Sequence, residues 1–262
     1  MGVLITDATA DLPAGKVFYR DSGGAGVPAV FLHAASGNSM LWEHQIAPFS
    51  AAGLRFIAID HKATARGGNS SALIDGVLAA LKIDRCHLLG TAAGGGAALQ
   101  YALAHPQKLR SLVVANSIGF VTDSEYLEMS SRIRPSQFFN QLPVDFRELG
   151  PSYRAAEPAG TARWLALSEQ SQASAGATTK DGDNVEVTWA KLETLKVPTL
   201  LMTGDADLYT PPSVLRMFTA RMPHAESAVI PETGHSSYWE SPGEFNRTVL
   251  NFIRKHWPNA TA

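Results

Sequence analysis

The chain has 262 residues, which is enough for one full α/β domain with an insertion. Its hydrophobic fraction of 45% and charged fraction of 18% are ordinary for a soluble globular enzyme. The net charge of −2 gives no electrostatic basis for binding nucleic acid or an anionic membrane. The single cysteine, Cys86, excludes an internal disulfide.

The first residues, Met1–Leu12, lack the basic start and the apolar core of a signal peptide. No apolar stretch approaches the ~20 residues of a membrane helix, so a cytoplasmic protein without a membrane partner is expected. The chain also lacks the H-E-x-x-H pattern, paired Cys and His ligands and a phosphate-binding loop. The sequence thus predicts no metal site and no cofactor.

Short apolar runs alternate with segments of helical period, which is the pattern of βαβ units and a mostly parallel sheet. Several runs are apolar without alternation, as in strands that are covered on both faces. The predicted strands are Val17–Arg20, Ala29–Leu32, Phe56–Ile59, Cys86–Leu89, Leu112–Ala115, Thr199–Thr203 and Ser227–Ile230. The predicted helices are Met40–Ala51, Ala72–Leu81, Gly94–Ala104, Pro212–Arg221 and Pro242–His256.

One region, from Phe120 to Trp189, breaks this alternation and has no strong strand signal. Helices are predicted there over Asp123–Ile133 and Gly160–Gln172, and the run Ser171–Asn184 has the composition of a mobile connection. We therefore expect residues 120–189 to form a helical lid, inserted into a core made of residues 1–119 and 190–262.

The most informative segment runs from Cys86 to Gly96 and reads C-H-L-L-G-T-A-A-G-G-G. A predicted strand ends at Gly90, a helix begins near Gly94, and small residues stand two before and two after the centre of the turn, Ala92. This is the spacing of the nucleophile elbow, G-x-S-x-G, where strand, turn and helix pack too closely for larger side chains. The residue at the centre normally carries the nucleophilic hydroxyl, and here it is an alanine.

A dinucleotide-binding loop also follows a strand and opens a helix. Its G-x-G-x-x-G pattern, begun at Gly90, requires glycine at position 92, and an acidic residue must follow about 20 positions on. The next strand ends instead in Ala115, Asn116 and Ser117. The spacing therefore favours the elbow.

Four motifs, in order, resemble the α/β-hydrolase family in its lidded type, which includes esterases, lactonases and meta-cleavage C–C hydrolases. They are F-L-H-A-A-S-G at 31–37 followed by Trp42, the elbow, P-T-L-L-M-T-G-D-A-D at 198–207, and I-P-E-T-G-H at 230–235. The resemblance extends from Val17 to about Ile253. It implies the α/β-hydrolase fold, a mostly parallel central sheet flanked by helices with an inserted helical lid.

The resemblance also implies which positions carry a catalytic triad. Ala92 occupies the position of the nucleophile and His235 that of the base. By the spacing of the third motif, the acid that orients the base is Asp207 rather than Asp205.

A second set of positions lines the oxyanion side of the site. The backbone N–H groups of Ala35 and Ala93 are the implied oxyanion donors, and as backbone groups they survive a change of side chain. In this motif His33 holds its loop by hydrogen bonds. The implied oxyanion and substrate-binding positions are Ala35, Ala93, His33, Ser36 and Trp42.

Three functions remain open for a chain with alanine at the elbow. The first is a serine-lineage hydrolase of an ester, lactone or C–C bond of a small molecule, impaired because Ala92 replaces the nucleophile. The second is a naturally serine-less member that uses His235 and Asp207 as a general acid/base pair in a lyase, decarboxylase or cofactor-free oxygenase reaction. The third is a non-catalytic small-molecule receptor, which has no reason to retain that pair.

Two further features concern the mouth of the site and its substrate. The spacing of 32 residues from Asp60 to Ala92 is about ten shorter than the family pattern, and Lys62 and Arg66, within it, are interpreted as solvated surface charges. The lid is rich in aromatic and cationic side chains, most of which are interpreted as packing groups of a helical cover. The rest favour a small aromatic or carboxylate-bearing substrate, and a homodimer is left as an open alternative. These side chains are Arg132, Arg134, Phe138, Phe139, Phe146, Tyr153, Arg154, Arg163 and Trp164.

Overall fold

The computed structural model describes residues 3–13, 15–61, 70–117, 119–173 and 185–257. Within these ranges the strands are β1 (Thr6–Leu12), β2 (Gly15–Asp21), β3 (Val27–Leu32), β4 (Leu54–Ile59), β5 (Cys86–Thr91), β6 (Leu109–Ala115), β7 (Thr199–Gly204) and β8 (Glu226–Ile230). They form one sheet in the order β1-β2-β4-β3-β5-β6-β7-β8. β2 pairs antiparallel with β1 and β4, and every pair from β4 to β8 is parallel. The predicted mostly parallel sheet is confirmed.

The seven predicted strands are present as β2 to β8, whereas β1 is an additional strand at the edge of the sheet. β1 pairs with β2 from Thr6, opposite Asp21, to Leu12, opposite Gly15. Its sequence, T-D-A-T-A-D-L, is mostly exposed, and only Ala10 is buried. An edge strand with little apolar surface gives no hydrophobic run to detect.

The helices in the described residues are α1 (Glu43–Ala51), α2 (Ser70–Ala80), α3 (Ala93–Ala104), α4 (Ser124–Ile133), α5 (Ser136–Phe139), α6 (Val144–Glu148), α7 (Pro151–Ala156), α8 (Pro158–Ala173), α9 (Trp189–Thr194), α10 (Pro212–Arg221), α11 (Ser237–Glu240) and α12 (Pro242–Lys255). The predicted helices are confirmed to within about two residues, except that the first is divided into a 3-10 turn, Ser39–Trp42, and α1. None of the helices in these ranges has the length and apolarity to cross a lipid bilayer.

The segment between β6 and β7, residues 116–198, carries α4 to α9 and is called the β6–β7 segment below. The helices predicted over Asp123–Ile133 and Gly160–Gln172 are α4 and α8. In its described part the only strand-like pairing is a bridge between Val121 and Val187. Residues 174–184 of the predicted mobile connection lie outside the described residues.

Apolar side chains fill both faces of the sheet. Along β3, Val30 and Leu32 belong to one buried cluster, whereas Ala29 and Phe31 belong to another. The first cluster includes side chains of α2, α3, α9 and α10, and the second includes side chains of α1, α8, α11 and α12. Because successive strand residues point to opposite faces, a strand covered on both sides must be apolar throughout.

In the short stretch before the elbow, the described residues between β4 and β5 include one helix. This helix, α2, has eleven residues and packs against α3 and β1. Lys62 and Arg66 lie outside the described residues, as does the rest of 62–69. At the start of this stretch, Asp60 accepts a hydrogen bond from the backbone N–H of Ser39 at 2.7 Å.

Glycines allow the turn between β5 and α3 to lie very close to β3. A Cβ atom on Gly90 would collide with the backbone of Gly94. A Cβ atom on Gly94 would collide with the carbonyl groups of Leu32 and His33. Backbone atoms cannot move aside as a flexible side chain can, so glycine is required here.

We expect Gly94→Ala to lower the free energy of unfolding by about 1–3 kcal/mol, because the added methyl group overpacks against backbone. The matched control is Gly243→Ala in α12, where a Cβ atom would meet no atom within 4 Å. Alanine is the better helix former, so this control should leave stability unchanged or raise it. Urea unfolding measures both, and equal effects would contradict the close approach.

Candidate active site

Ala92 lies between β5 and α3 in a strained backbone conformation, with φ of 51° and ψ of −117°. Residues with a Cβ rarely occupy this region, and such strain costs about 1–3 kcal/mol. The turn is held on both sides of the residue. The Ala92 N–H donates to the Ala115 carbonyl at 3.0 Å, and the Ala92 carbonyl accepts from Ser117 Oγ at 2.5 Å. The elbow geometry is therefore complete without a hydroxyl group.

Ala93 is the first residue of α3, directly after the elbow. Its N–H is one of those that a helix cannot satisfy internally. The positive end of the helix dipole lies at the same point and favours a negatively charged atom nearby. Ala92 and Ala93 are both half-buried rather than covered. The structure thus places this predicted oxyanion donor at a helix N-terminus.

His33 and His61 form a buried pair that ties the loop after β3 to the end of β4. His33 Nδ1 donates to the Ala34 carbonyl at 2.7 Å, and Nε2 accepts from the His61 N–H at 3.1 Å. His61 Nε2 donates back to the His33 carbonyl at 3.0 Å. Burial lowers the pKa of His33, against the raising effect of the Asp60 charge, and holds the pKa of His61 well below its usual value. Two neutral imidazoles therefore fix the loop.

The other predicted positions of this loop differ in exposure. Ala35 is exposed and Ser36 is half-buried, and Ser36 Oγ has no hydrogen-bond partner among the residues that the structure describes. Trp42 is 1% exposed and packs in the core, 5.1 Å from the Phe31 ring and 4.6 Å from the Tyr238 ring. Of these three positions, only Ala35 is exposed, whereas the Ser36 hydroxyl and Trp42 are both covered by the protein.

Asp207 and His235 are brought together at the carboxyl end of the sheet. Asp207 follows β7 and His235 follows β8, and both carboxylate oxygens lie 2.9 Å from His235 Nδ1. The two residues are 2% and 5% exposed. Asp205 is exposed, and its N–H donates to the Ile230 carbonyl. Of the two aspartates, Asp207 is the one paired with the histidine.

Further donors surround the Asp207 carboxylate. The backbone N–H groups of Tyr209 and Thr210 donate to Oδ1 at 2.8 and 3.0 Å. The Thr210 hydroxyl and Asn116 Nδ2 donate to Oδ2 at 2.7 and 3.0 Å. This set of donors satisfies the carboxylate and fixes its orientation toward the imidazole.

The environment shifts the pKa of each member of the pair in the direction that favours its charged form. Burial opposes ionisation of Asp207, but the His235 charge and the hydrogen bonds from His235 and Thr210 outweigh it and lower the pKa of this carboxyl group. Burial likewise opposes protonation of His235, yet the charge and hydrogen bond of Asp207 and the charge of Glu148 raise the pKa of the imidazole. The pair has the electrostatics of an oriented acid–base group.

Asn116 and Ser117, at the end of β6, connect the elbow with the acid–base pair. Ser117 holds the Ala92 carbonyl, whereas Asn116 Nδ2 donates to Asp207 and, at 3.1 Å, to the Gly234 carbonyl. Neither is predicted as a site residue from the sequence, where both serve only as evidence against a dinucleotide-binding loop. Their position at a strand end beside the elbow strand is the signal that points to the site.

Tyr209 is a second residue that the motifs did not identify. Its ring stacks on His235, with centroids 4.1 Å apart and planes inclined by 30°. Three side chains of the β6–β7 segment approach it. Phe139 lies edge-on at 4.8 Å, Arg147 Nη1 donates to its hydroxyl at 3.2 Å, and the Arg134 guanidinium lies 6.0 Å from its ring centre.

The other aromatic and cationic side chains of this segment make contacts elsewhere. Trp164 is fully buried in the core, Arg163 forms an ion pair with Glu43 at 2.5 Å, and Arg154 lies 4.5 Å above the Phe146 ring. Of the nine predicted candidates, Arg134 and Phe139 are the ones that reach Tyr209.

Two glutamates, one half-buried and one buried, flank the pair. Glu240 accepts hydrogen bonds from the backbone N–H groups of Gly150, Gly234 and Ser236, and burial raises its pKa to about 7 despite these bonds. Glu148, at the end of α6, is 6% exposed, and burial raises its pKa as well. Gly234 and Ser236 flank His235, whereas Gly150 belongs to the β6–β7 segment. Glu240 therefore joins the histidine loop to that segment by hydrogen bonds.

Cys86 lies buried at the start of β5, where burial raises the pKa of its thiol to about 12. A thiol with so high a pKa is inert as a nucleophile. Across the described ranges, no three His, Cys, Asp or Glu side chains lie close enough together to hold a metal ion.

A family model described as alpha/beta hydrolase fold matches residues 28–242. The chain therefore belongs to the α/β-hydrolase family and is a hydrolase-type enzyme. It is 26% identical to a 2-hydroxy-6-oxononadienedioate/2-hydroxy-6-oxononatrienedioate hydrolase of Paraburkholderia xenovorans, over 91% of this chain and 90% of that protein. It is 28% identical to a pimeloyl-[acyl-carrier protein] methyl ester esterase of Aeromonas hydrophila, over 88% and 96%.

Solved structures show the same fold. The naproxen esterase of Bacillus subtilis superposes with a TM-score of 0.73 at 20% identity, covering 96% of this chain and 92% of that one. The enol-lactonase of Burkholderia xenovorans superposes with a TM-score of 0.72 at 19% identity, covering 94% and 100%.

We expect Ala92→Gly to raise the free energy of unfolding by about 1 kcal/mol. Glycine releases the strain of the positive φ, which exceeds its entropic cost in the unfolded chain. The control is Ala166→Gly, at an exposed position of α8, which should lower stability by about 1 kcal/mol. If urea unfolding shows the two substitutions to be equally destabilising, the elbow is not strained.

The raised pKa of Glu240 predicts an unusual pH dependence of stability. Because the folded-state pKa, about 7, lies above that of an exposed glutamate, the contribution of Glu240 is complete below about pH 4.5 and is lost as the pH rises through 7. The stability difference between the parent and Glu240→Gln should therefore shrink from pH 4.5 to pH 8 in urea titrations. A difference that grows with pH would contradict this.

Proposed function

We propose that this chain is a serine-lineage hydrolase of an ester, lactone or C–C bond in a small molecule, impaired because Ala92 replaces the nucleophile. The observation that carries the proposal is the elbow at Ala92, built in its strained geometry and accompanied by a fully formed Asp207–His235 pair. Everything such a site needs is present except one hydroxyl group.

The proposed roles follow from this geometry. His235 is the base, and Asp207 fixes its tautomer because the hydrogen bond at Nδ1 leaves Nε2 for the reacting group. The N–H groups of Ala93 and Ala35 stabilise the oxyanion. Without the hydroxyl at position 92, His235 has only water or the substrate itself from which to take a proton, so hydrolysis is slow.

The proposed scissile bonds, in esters, lactones or C–C linkages, are chosen from the names of similar proteins. Their names include a hydrolase of a dienedioate or trienedioate, a methyl ester esterase and an enol-lactonase. We transfer to this chain only what these share, the cleavage of a bond next to a carbonyl group in a small molecule.

We also propose that the β6–β7 segment is the lid of this site. Support comes from Phe139 and Arg147, which contact Tyr209 above His235, and from Gly150, which shares the Glu240 carboxylate with the histidine loop. Arg134 adds a cationic group beside Tyr209. Aromatic and cationic groups at this position favour an aromatic or carboxylate-bearing substrate.

A second candidate function is acid–base catalysis without a nucleophile. The observation that favours it is that the contacts that hold Asp207 and His235 do not involve the side chain of residue 92. Asn116, Tyr209 and Thr210 satisfy Asp207, and Asp207 orients His235, without any contribution from the elbow side chain. A pair held in this way is able to remove a proton from an activated C–H or O–H group. Lyase, decarboxylase and cofactor-free oxygenase reactions begin with such a step.

The test restores the missing group. Ala92→Ser should raise kcat/KM on aryl esters, lactones or vinylogous diketones by about 10³-fold or more, because a triad without its nucleophile loses at least that factor. Ala92→Gly is the matched control, since it changes the same position and supplies no hydroxyl. His235→Ala in the serine variant should abolish the gain.

The two functions give different outcomes in this assay. If serine brings no gain on any substrate of the panel, the hydrolase proposal fails. Turnover of a non-ester substrate by the parent chain, abolished by His235→Ala and unaffected by Ala92→Gly, would then establish the acid–base function.

A further inference from the structure

Glu148 is a buried carboxyl group to which the roles above assign no function. It is 6% exposed at the end of α6, and within the described part of the chain its Oε2 atom has no hydrogen-bond partner. A carboxyl group taken out of water without a full set of partners costs free energy. Its burial therefore has to be offset by an interaction with another charged or polar group.

The neighbouring Glu240 shows how a purely structural carboxylate is held. Glu240 is half-buried, and the backbone N–H groups of Gly150, Gly234 and Ser236 donate hydrogen bonds to it. These bonds join two segments of the chain and account for its position. Glu148 has no comparable set of backbone donors in the described residues.

The contacts of Glu148 lead instead to His235. Its carboxyl group interacts with the Tyr209 hydroxyl, to which Arg147 also donates at 3.2 Å. The Tyr209 ring lies 4.1 Å from the His235 ring in a stacked arrangement. The Glu148 charge favours protonated His235, and the His235 charge in turn favours ionised Glu148. The two groups are thus coupled across Tyr209.

The other charges around His235 do not make Glu148 redundant. Asp207 binds Nδ1 directly, whereas Arg134, after α4, opposes protonation of the imidazole. Arg147 donates to the Tyr209 hydroxyl, and Glu240 accepts hydrogen bonds from the backbone on either side of the histidine. Glu148 is the negative charge that the β6–β7 segment contributes against the positive charge of Arg134.

We propose that Glu148 is a positioning residue of the site, which holds Tyr209 against His235 from α6 and stabilises the protonated imidazole. This inference rests on the proposed acid–base role of His235 and deepens it. Where the elbow supplies no hydroxyl, a proton retained on His235 is available for donation to an anionic intermediate of the substrate. The β6–β7 segment thereby controls the protonation state of the base as well as covering it.

The experiment measures the pKa of the His235 imidazole by NMR titration of the full chain, with the signals assigned from their loss in His235→Gln. Glu148→Gln keeps the shape of the side chain and removes its charge, so the His235 pKa should fall. Asp145→Asn removes a negative charge from the same helix and is the matched control. A fall in Glu148→Gln no larger than in Asp145→Asn overturns the proposal.

A second variant covers the case in which Glu148→Gln does not fold. Tyr209→Phe keeps the stacked ring but removes the hydroxyl that supports the ionised Glu148, so the His235 pKa should fall here too. An unchanged His235 pKa in Tyr209→Phe overturns the proposal. Because neither titration measures turnover, failure of this inference is distinct from failure of Ala92→Ser to restore hydrolysis.

Discussion

The close approach of the β5–α3 turn to the end of β3 is the constraint on which the site depends. At Gly90 and Gly94, backbone atoms of neighbouring residues occupy the space that a Cβ atom would need. The chain therefore has little freedom in how it passes from strand to helix. That path forces residue 92 to a positive φ whatever its side chain is. Ala92 therefore has the backbone conformation of an elbow nucleophile but carries no reactive group. The free N–H groups of the helix N-terminus begin at Ala93, the next residue.

The acid–base pair has a separate origin, in the loops that follow β7 and β8. Asn116 joins these loops to the end of β6, and Ser117, the next residue, joins β6 to the elbow. The parallel sheet brings these strand ends to one edge, so residues far apart in sequence share a single hydrogen-bond network. Nothing in that network requires an oxygen at position 92. The network is therefore complete with alanine at the elbow.

The parts of this arrangement that sequence predicts are those set by local constraints. The elbow and the positions of Asp207 and His235 are each encoded within about ten residues, as are the buried strands, and the structure confirms the strands and pairs these two side chains. Edge strand β1 was missed because it is mostly polar. Tyr209 was missed because its stacking on His235 depends on how the loops after β7 and β8 approach each other, and Glu148 because it reaches Tyr209 from the distant β6–β7 segment. No short spacing in the sequence signals either contact.

The elbow at Ala92 and the charged group of Asp207, His235 and Glu148 are the two halves of the site, and they differ in how strongly they indicate a chemical reaction. The strained elbow follows from the close packing of β5, α3 and β3 and would persist in a chain with no activity. The buried charges of Asp207, His235 and Glu148 have no such explanation, because apolar side chains of similar volume fill such space at lower cost. A receptor for a neutral ligand gains nothing from burying them. The charged half of the site, rather than the elbow that first identifies it, is therefore the stronger support for the proposed acid–base role of His235.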